Sequence, residues 1–202
     1  MIGRFILFAI TPLLLAAQAW AGDIVVTVTT PDGKPLPDAV VLIAARPGDP
    51  KPAPSSALTM AQADKQFTPF VLVAPVGSVV EFPNLDKFRH HVYSFSKGNK
   101  FELALYGREE KRVVTFKTAG VAAIGCNIHD QMVAFIRVVD TPWAAKTGAD
   151  GVARLASAPE GSQRIDVWHP YATAKDQTVT QTVSVSAETI TITAVIGIAP
   201  PR

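Results

Sequence analysis

The sequence lacks the features that would assign the chain to several common classes of protein. It has a single cysteine in 202 residues, so no disulfide can form within the chain. Its 19 basic and 17 acidic residues nearly cancel and include no basic run, which excludes the electrostatic footprint of a nucleic-acid-binding protein. Beyond residue 21 no apolar run is long enough to predict a membrane span in the mature chain.

Motifs of the common enzyme classes are also missing. The sequence has no Ser/His/Asp pattern, no glycine-rich phosphate loop and no H-E-x-x-H element. The adjacent Glu109 and Glu110 lie beside Lys111 and Arg112, which indicates a mixed-charge turn rather than a pair of catalytic carboxylates. We therefore expect no acid-base catalysis.

The N-terminus has the organisation of a secretory signal. Residues 1–4 carry one positive charge, residues 5–17 form a short apolar run, and Ala19 and Ala21 are small residues at a spacing of two. This order predicts a signal peptide over residues 1–21 that is cleaved after Ala21. The alternative is an uncleaved anchor, although the run is shorter than the roughly 20 residues that span a bilayer. We expect a periplasmic or secreted protein.

Export would place the single cysteine, Cys126, in an oxidising compartment. Thiols in oxidising compartments usually end in disulfides. A lone thiol there is buried and inert, paired with another chain, or bound to a metal. The residues around Cys126 must decide among the three.

From Asp23 onward the sequence consists of short β segments separated by Pro, Gly and Asp, with no sustained helical period. The segments are rich in Val, Ile, Phe and Thr, which predicts an all-β protein. About twelve strands exceed the seven to nine of one β-sandwich, so two sandwiches are expected. The candidate strands are residues 24–29, 39–44, 70–74, 78–82, 91–95, 112–116, 121–125, 133–139, 152–155, 164–168, 179–184 and 189–196.

Two breaks divide the chain. Residues 46–56 contain four prolines and cannot form a strand ladder, which is typical of a linker. A second break follows at residues 140–142, and the turn residues 147–151 come shortly after it. The segment of residues 58–140 is therefore predicted to be one domain.

The two flanks resemble the carboxypeptidase regulatory-like, transthyretin-type β-sandwich. The resemblance rests on a D-G-K-P-L turn at residues 32–36, an A-D-G turn at residues 149–151, and P-E-G before the strand around Ile165. Here roughly a hundred residues separate the second strand from the A-D-G turn, which departs from the family pattern but is tolerated at loop tips. We expect residues 22–46 and 143–202 to form one split sandwich that carries the middle domain as an insertion. A tandem order would leave the first two strands as an isolated hairpin, which is marginal in water.

The strongest chemical pattern is C-x2-H-x2-M at Cys126, His129 and Met132, with His90 upstream. A thiolate, two imidazoles and a thioether suit copper, because sulfur holds Cu(I) and imidazole also accepts Cu(II). Cys126, His129 and Met132 lie between two β segments, so one tight loop can direct all three inward. The pattern predicts one mononuclear type 1 copper ion bound by these four side chains.

Each of these residues also has a simpler interpretation. Cys126 alone would be an ordinary buried cysteine, since free cysteine is among the most buried residue types. His91 is expected to face solvent, because neighbouring side chains on a strand point to opposite sides. His169 has no ligand partner nearby in the sequence and is expected to be structural. The combination of the four ligands favours the metal site.

At these residues the chain resembles the cupredoxins, and its copper loop has the spacing found in amicyanin. Residues 80–92 are similar to the family pattern V-x-[FW]-x-N-x(5)-H-x-V, in which the histidine, here His90, is the first copper ligand. The resemblance implies that Asn84 supports the copper loop through hydrogen bonds and that His91, beside His90, is not a ligand. We expect His91 to lie next to the ligand set, as an exposed imidazole where a partner could dock. The pattern departs from the family at Arg89, where proline is common, and at Asn127.

The resemblance covers about residues 58–140, and it implies a cupredoxin Greek-key β-sandwich. The whole chain resembles periplasmic methylamine-utilisation or plastocyanin-like proteins. The expected function is electron transfer between redox partner proteins, with electrons passing through the loop histidine, His129. Two alternatives stay open: copper handling or sensing with the same ligands, and binding of carbohydrate or a surface component by the flanking sandwich. An enzyme is not expected, since four protein ligands leave no open position for a substrate.

Overall fold

The computed structural model of the protein describes residues 22–199. The predicted signal peptide over residues 1–21 lies outside the described residues. Within them the prediction of an all-β protein is confirmed, and a single turn of 3-10 helix, Lys175–Gln177, interrupts the strands. No helix in residues 22–199 is long and apolar enough to cross a membrane.

The strands are short, as expected from the frequent turn residues. In chain order they are β1 (Ile24–Thr29), β2 (Val40–Ile43), β3 (Leu58–Thr59), β4 (Ala61–Ala63), β5 (Gln66–Thr68), β6 (Val71–Pro75), β7 (Val79–Glu81), β8 (His90–Ser94), β9 (Phe101–Tyr106), β10 (Val113–Thr115), β11 (Gly120–Cys126), β12 (Val133–Val139), β13 (Ala144–Lys146), β14 (Val152–Leu155), β15 (Gly161–Trp168), β16 (Thr178–Val185) and β17 (Ile190–Val195).

The strands from β3 to β12 form an inner sandwich. One sheet has the order β6-β12-β11-β8-β9, and a smaller sheet has the order β10-β7-β3. Their facing side chains, among them Val80, Phe82, Ile124 and Ile136, make one buried apolar cluster. Strands β4 and β5 form a separate small hairpin. The end of this sandwich where β8 begins and β11 ends carries the candidate site described below.

The remaining strands form an outer sandwich made from both ends of the described chain. Strand β1 lies between β14 and β17, and β2 lies between β13 and β15. Each N-terminal strand thus pairs only with strands that follow the inner sandwich in the sequence. Alternate residues of β1 (Ile24, Val26 and Val28) are fully buried and pack with Ile165 and Val167 in a second apolar cluster. The inner sandwich is therefore inserted between β2 and β13 of the outer one. The domain limits given above stay a prediction.

A third apolar cluster joins the two sandwiches. Val40 and Trp168 from the outer sandwich pack against Val71 and the partly buried Phe135 of the inner one. The rings of Trp168 and Phe135 meet edge to face, with centroids 6.1 Å apart. The guanidinium of Arg137 lies 5.9 Å from the Trp168 ring, and burial lowers the pKa of this arginine. The contact between the sandwiches is thus mainly apolar, and aromatic side chains around Trp168 make up much of it.

Candidate metal centre

Three of the four predicted ligands converge at one end of the inner sandwich. His90 is the first residue of β8, Cys126 is the last residue of β11, and His129 lies in the turn that follows. One possible ligand atom from each residue lies within 4.8 Å of the others. The Cys126 Sγ atom is 3.7 Å from the His90 Nδ1 atom. We refer to these three residues as the His90–Cys126–His129 cluster.

Sheet pairing and a tight turn create this convergence. Strands β8 and β11 are antiparallel neighbours, and Cys126 lies opposite Val92, two residues from His90. The loop after Cys126 is closed by a 2.9 Å hydrogen bond from the Met132 backbone N–H to the His129 carbonyl. Strand β12 begins at the next residue and pairs with β11 along its length. The loop is thus held on both sides by the same pair of strands.

The cluster is buried on its inner side and approaches the surface at His129. His90 is fully buried, Cys126 is 4% exposed, and His129 is partly exposed. Met132 is 1% exposed and belongs to the same apolar cluster as Cys126. The Cys126 thiol and the two imidazoles therefore meet at the edge of an apolar core, and the His129 ring is the partly exposed one.

The His129 side chain contains a polar atom that is not satisfied by the protein. Its Nδ1 atom is buried and has no hydrogen-bond partner within residues 22–199. Burying a polar nitrogen without a partner is unfavourable. A metal ion bonded to this nitrogen would remove that penalty, and the cluster supplies the thiolate and imidazole donors of a copper site. The residues present therefore fit the predicted ion.

Phe88 packs against both histidine rings, which the sequence analysis did not predict. Its ring centroid lies 5.1 Å from that of His90 and 5.5 Å from that of His129. The two histidine rings are 5.3 Å apart. Phe88 is 41% exposed, so it partly screens the cluster from water. A phenylalanine two residues before a candidate metal-binding histidine was the only sequence signal for this contact.

Asp86 is a second residue that the sequence analysis missed. Its Oδ2 atom lies 2.8 Å from the Nε2 atom of His90, the ring nitrogen on the side away from Cys126. Burial alone would raise the pKa of Asp86, but hydrogen bonds from His90 and from the backbone of Lys65 and Asp64 outweigh it and lower that pKa. The carboxylate is thus kept ionised beside a candidate ligand.

Asn84 holds the segment that precedes His90. Its Nδ2 atom donates to the carbonyls of Phe88, at 2.8 Å, and Tyr106, at 3.0 Å. Its Oδ1 atom accepts a 2.9 Å hydrogen bond from the backbone N–H of Asp86. Among the described residues these side-chain bonds go to the 84–88 segment and to β9. The bonds to the Cys126–Met132 loop that the family resemblance implies stay a prediction.

The prediction that His91 faces solvent is wrong. His91 is 8% exposed, and its Nε2 atom lies 2.9 Å from the Oε1 atom of Glu102 on β9. A β-bulge between His90 and Val92 shifts the register of β8 against β9. Bulges interrupt the alternation of side chains, so both neighbouring histidines can be buried. The Glu102 contact places the His91 ring over β9, and its Nδ1 atom has no partner within the described chain.

Arg89, where the cupredoxin pattern usually has proline, points away from the cluster. Its Nη2 atom donates to the carbonyl of Leu105 at 2.6 Å and lies 3.2 Å from Glu110 Oε1. The side chain is 61% exposed. Asn127 is exposed in the loop. Both departures from the family pattern therefore lie at the surface.

Comparison with known proteins gives partial structural likenesses. No family model matches the sequence, and no curated protein matches it. A purple cupredoxin from Nitrosopumilus maritimus is 20% identical over 41% of this chain and 99% of its own, with a TM-score of 0.37. An oxidised amicyanin mutant is 17% identical over 49% of this chain and 98% of its own, with a TM-score of 0.39.

A copper-containing nitrite reductase from Thermus scotoductus SA-01 is 27% identical over 58% of this chain, with a TM-score of 0.39. This chain spans only 28% of the length of that reductase. All three likenesses are partial, and the function proposed below therefore rests on the residues of this chain.

Proposed function

We propose that this protein is a cupredoxin that binds one type 1 copper ion and carries single electrons between redox partner proteins in the periplasm. The observation that supports this most is the His90–Cys126–His129 cluster, in which a buried thiol and two imidazoles lie within 4.8 Å of one another. The unsatisfied Nδ1 atom of His129 adds to this support.

The ligand set follows from the donors and their surroundings. Cys126 would supply a thiolate, and His90 and His129 would each supply an imidazole nitrogen. Met132 would be the weak axial ligand, as in trigonal His2Cys copper sites with a distant thioether. When bound, copper supplies a one-electron couple, and this mixture of soft sulfur and nitrogen donors accommodates both of its oxidation states.

The scaffold suits a carrier because little of it needs to move. His90 and Cys126 lie on neighbouring strands, and the loop between β11 and β12 is closed by the Met132 to His129 hydrogen bond. Sites on strands hold their geometry better than sites on free loops. His129 is the cluster residue closest to solvent, so we propose that electrons enter and leave through its ring.

We propose a carrier rather than an enzyme, because four protein ligands would leave the ion no open position for a substrate. Export through the predicted signal peptide and membership of the methylamine-utilisation type belong to this proposal. Their support is the N-terminal sequence and the sequence resemblance described above.

The first test is the visible absorption of the mature protein after addition of Cu(II). We expect an intense thiolate-to-copper charge-transfer band with one equivalent bound. The variant Cys126→Ser should lose this band completely, because the oxygen of serine cannot replace the thiolate. The variant Ser94→Ala, at a buried position on the neighbouring strand β8, is the matched control and should keep the band. Stoichiometric copper binding without a band in the wild-type protein would contradict the proposal.

A second measurement separates electron transfer from copper handling, which would use the same ligands. A carrier should show a reversible midpoint potential and fast electron self-exchange between Cu(I) and Cu(II) protein. Slow self-exchange with ready loss of copper to a chelator would instead indicate a copper-delivery or copper-sensing protein.

A further inference from the structure

His90 has two ring nitrogens with different surroundings. The Nδ1 atom faces the Cys126 Sγ atom at 3.7 Å. The Nε2 atom faces the Asp86 Oδ2 atom at 2.8 Å, and the His90 side chain is fully buried. A neutral imidazole has one N–H donor and one acceptor nitrogen, and a carboxylate can only accept. The contact with Asp86 therefore places the proton on Nε2 and leaves the lone pair of Nδ1 directed toward the cluster.

Asp86 is itself fixed by backbone donors. Its Oδ1 atom accepts a 2.8 Å hydrogen bond from the backbone N–H of Asp64, and its Oδ2 atom accepts a 3.1 Å bond from that of Lys65. Its own backbone N–H donates to the Oδ1 atom of Asn84. The side chain is 10% exposed. With three hydrogen bonds to its oxygens, the carboxylate cannot rotate away from His90 without losing the others.

The backbone donors come from the tight turn of the β4–β5 hairpin. Asp64 and Lys65 both have positive φ angles, 53° and 60°, and they join Ala61–Ala63 to Gln66–Thr68. Two-residue turns with both angles positive are usually made by Asn-Gly or Gly-Gly. Asp adopts this conformation more often than most residues, whereas Lys rarely does, and the turn directs the N–H groups of both Asp64 and Lys65 at one carboxylate. This hairpin thus acts on the cluster from outside the strands that carry the ligands.

We propose that Asp86 is a positioning residue that fixes the tautomer and orientation of His90 and favours the oxidised copper ion. This inference rests on the proposed function. A carboxylate bonded to the distal nitrogen of a metal-binding histidine makes the imidazole a stronger donor. Its negative charge lies near the ion and stabilises Cu(II) more than Cu(I), so Asp86 lowers the reduction potential.

The test compares Asp86→Asn with Asp130→Asn. Both substitutions remove one negative charge near the cluster, but Asp130 follows His129 in an exposed position and has no hydrogen bond to a candidate ligand in the described chain. We expect Asp86→Asn to weaken Cu(II) binding by about 10–100-fold, the range found for such partners. Cu(I) binding should weaken less. Each tenfold difference between the two losses raises the potential by about 59 mV. Asp130→Asn should change the affinities less than threefold.

An NMR measurement on the metal-free protein tests the same contact between Asp86 and His90. Nitrogen-15 NMR of the apoprotein should show His90 protonated at Nε2, with that proton protected from exchange in the wild type and exposed in Asp86→Asn. Should Asp86→Asn not fold, Asp86→Ala, which leaves room for water beside His90, replaces it in each comparison. A His90 protonated at Nδ1 in the wild type overturns the proposal, as does a potential shift no larger than that of Asp130→Asn.

The two proposals can fail separately. If the wild-type protein binds copper without a charge-transfer band, the proposed function fails, whereas the NMR result still reports on the Asp86 contact. If the band is present and neither the potential nor the tautomer responds to Asp86, only the role of Asp86 is overturned.

Discussion

The two sandwiches differ in how their buried polar side chains are used. In the outer sandwich such side chains bond to backbone groups near strand ends, as Thr147 does with the N–H of Ala39 and the carbonyl of Leu36. In the inner sandwich some of them bond to backbone groups, as Asn84 does, but others also bond to one another, as Gln62 does with Tyr106 and Asp86 with His90.

Backbone-directed bonds satisfy the ends of strands, whereas linked side chains fix each other's orientation. The linked groups of the inner sandwich lie at the end that carries the His90–Cys126–His129 cluster. The comparison teaches that, of two β-sandwiches in one chain, the candidate metal site lies in the one that contains buried polar side chains bonded to one another.

The largest effect is expected from a substitution that removes the contact between the two sandwiches compared above. Trp168→Ala removes the side chain at the centre of the junction between the sandwiches, where Trp168 is 1% exposed. We expect a loss of about 3–5 kcal/mol in the free energy of unfolding, because a large buried cavity is left. Calorimetry should then resolve two transitions instead of one.

The matched control for this experiment is Trp168→Phe. It keeps most of the apolar contact and removes an indole N–H that is buried without a partner among residues 22–199. A single transition is expected, with a much smaller loss of stability. If Trp168→Ala also unfolds in one transition with unchanged stability, the two sandwiches are not coupled through this cluster.

A matched pair of core substitutions sharpens the comparison. Ile165 lies in the core of the outer sandwich and Ile124 in that of the inner one, and both are fully or almost fully buried. Each change to Ala should cost about 2–5 kcal/mol. Only Ile124→Ala should also speed the loss of copper to a chelator, because Ile124 is in the same buried cluster as Cys126. Equal rates of copper loss in the two variants would contradict this.

The smallest expected effect concerns the linked side chains themselves. Tyr106 is fully buried, and burial raises its pKa to about 12, although the hydrogen bond from Gln62 offsets part of the rise. The folded-state pKa lies above the ordinary value near 10, so its contribution to stability is complete below about pH 10 and is lost as the pH rises toward about 12.

Tyr106→Phe removes this titration together with the 2.8 Å hydrogen bond to the Phe82 carbonyl. We expect a loss of about 1–3 kcal/mol at neutral pH and a flatter decline of stability between about pH 10 and 12. Denaturant unfolding at several pH values measures both, with Tyr171→Phe of the outer sandwich as the control. An unchanged alkaline decline in Tyr106→Phe would show that another group causes it.

Some of this structure follows from the sequence, for identifiable reasons. Strand β1 alternates buried and half-buried residues, and its bounds were predicted correctly, as were those of β12 and β14. The approach of Cys126 to His90 was also expected, because the upstream pattern of residues 80–92 marks His90 as a further ligand of the same site.

Other features could not be predicted, because they depend on neighbours that are distant in the sequence. Strand β9 was missed although Phe101, Leu103 and Leu105 alternate along it, and the structure leaves part of that face open, since Leu105 is 48% exposed. The burial of His91 depends on a bulge, and the Asp86 contact depends on a turn at Asp64 and Lys65. Both local departures from regular strand geometry lie next to the candidate ligands, where local sequence rules fail most readily.

The insertion of one sandwich into the other determines the order in which the protein can be assembled. Strand β1 needs β17, since Ile24 pairs with Ile190 and Thr29 with Val195 in a parallel ladder. The first strand of the described chain must therefore wait for the last one, and closing so long a loop is slow. All partners of β6 to β12 lie within the inner segment, so that sandwich can be complete earlier. The candidate metal site, whose residues all lie in the inner sandwich, can thus form before the outer sandwich is complete.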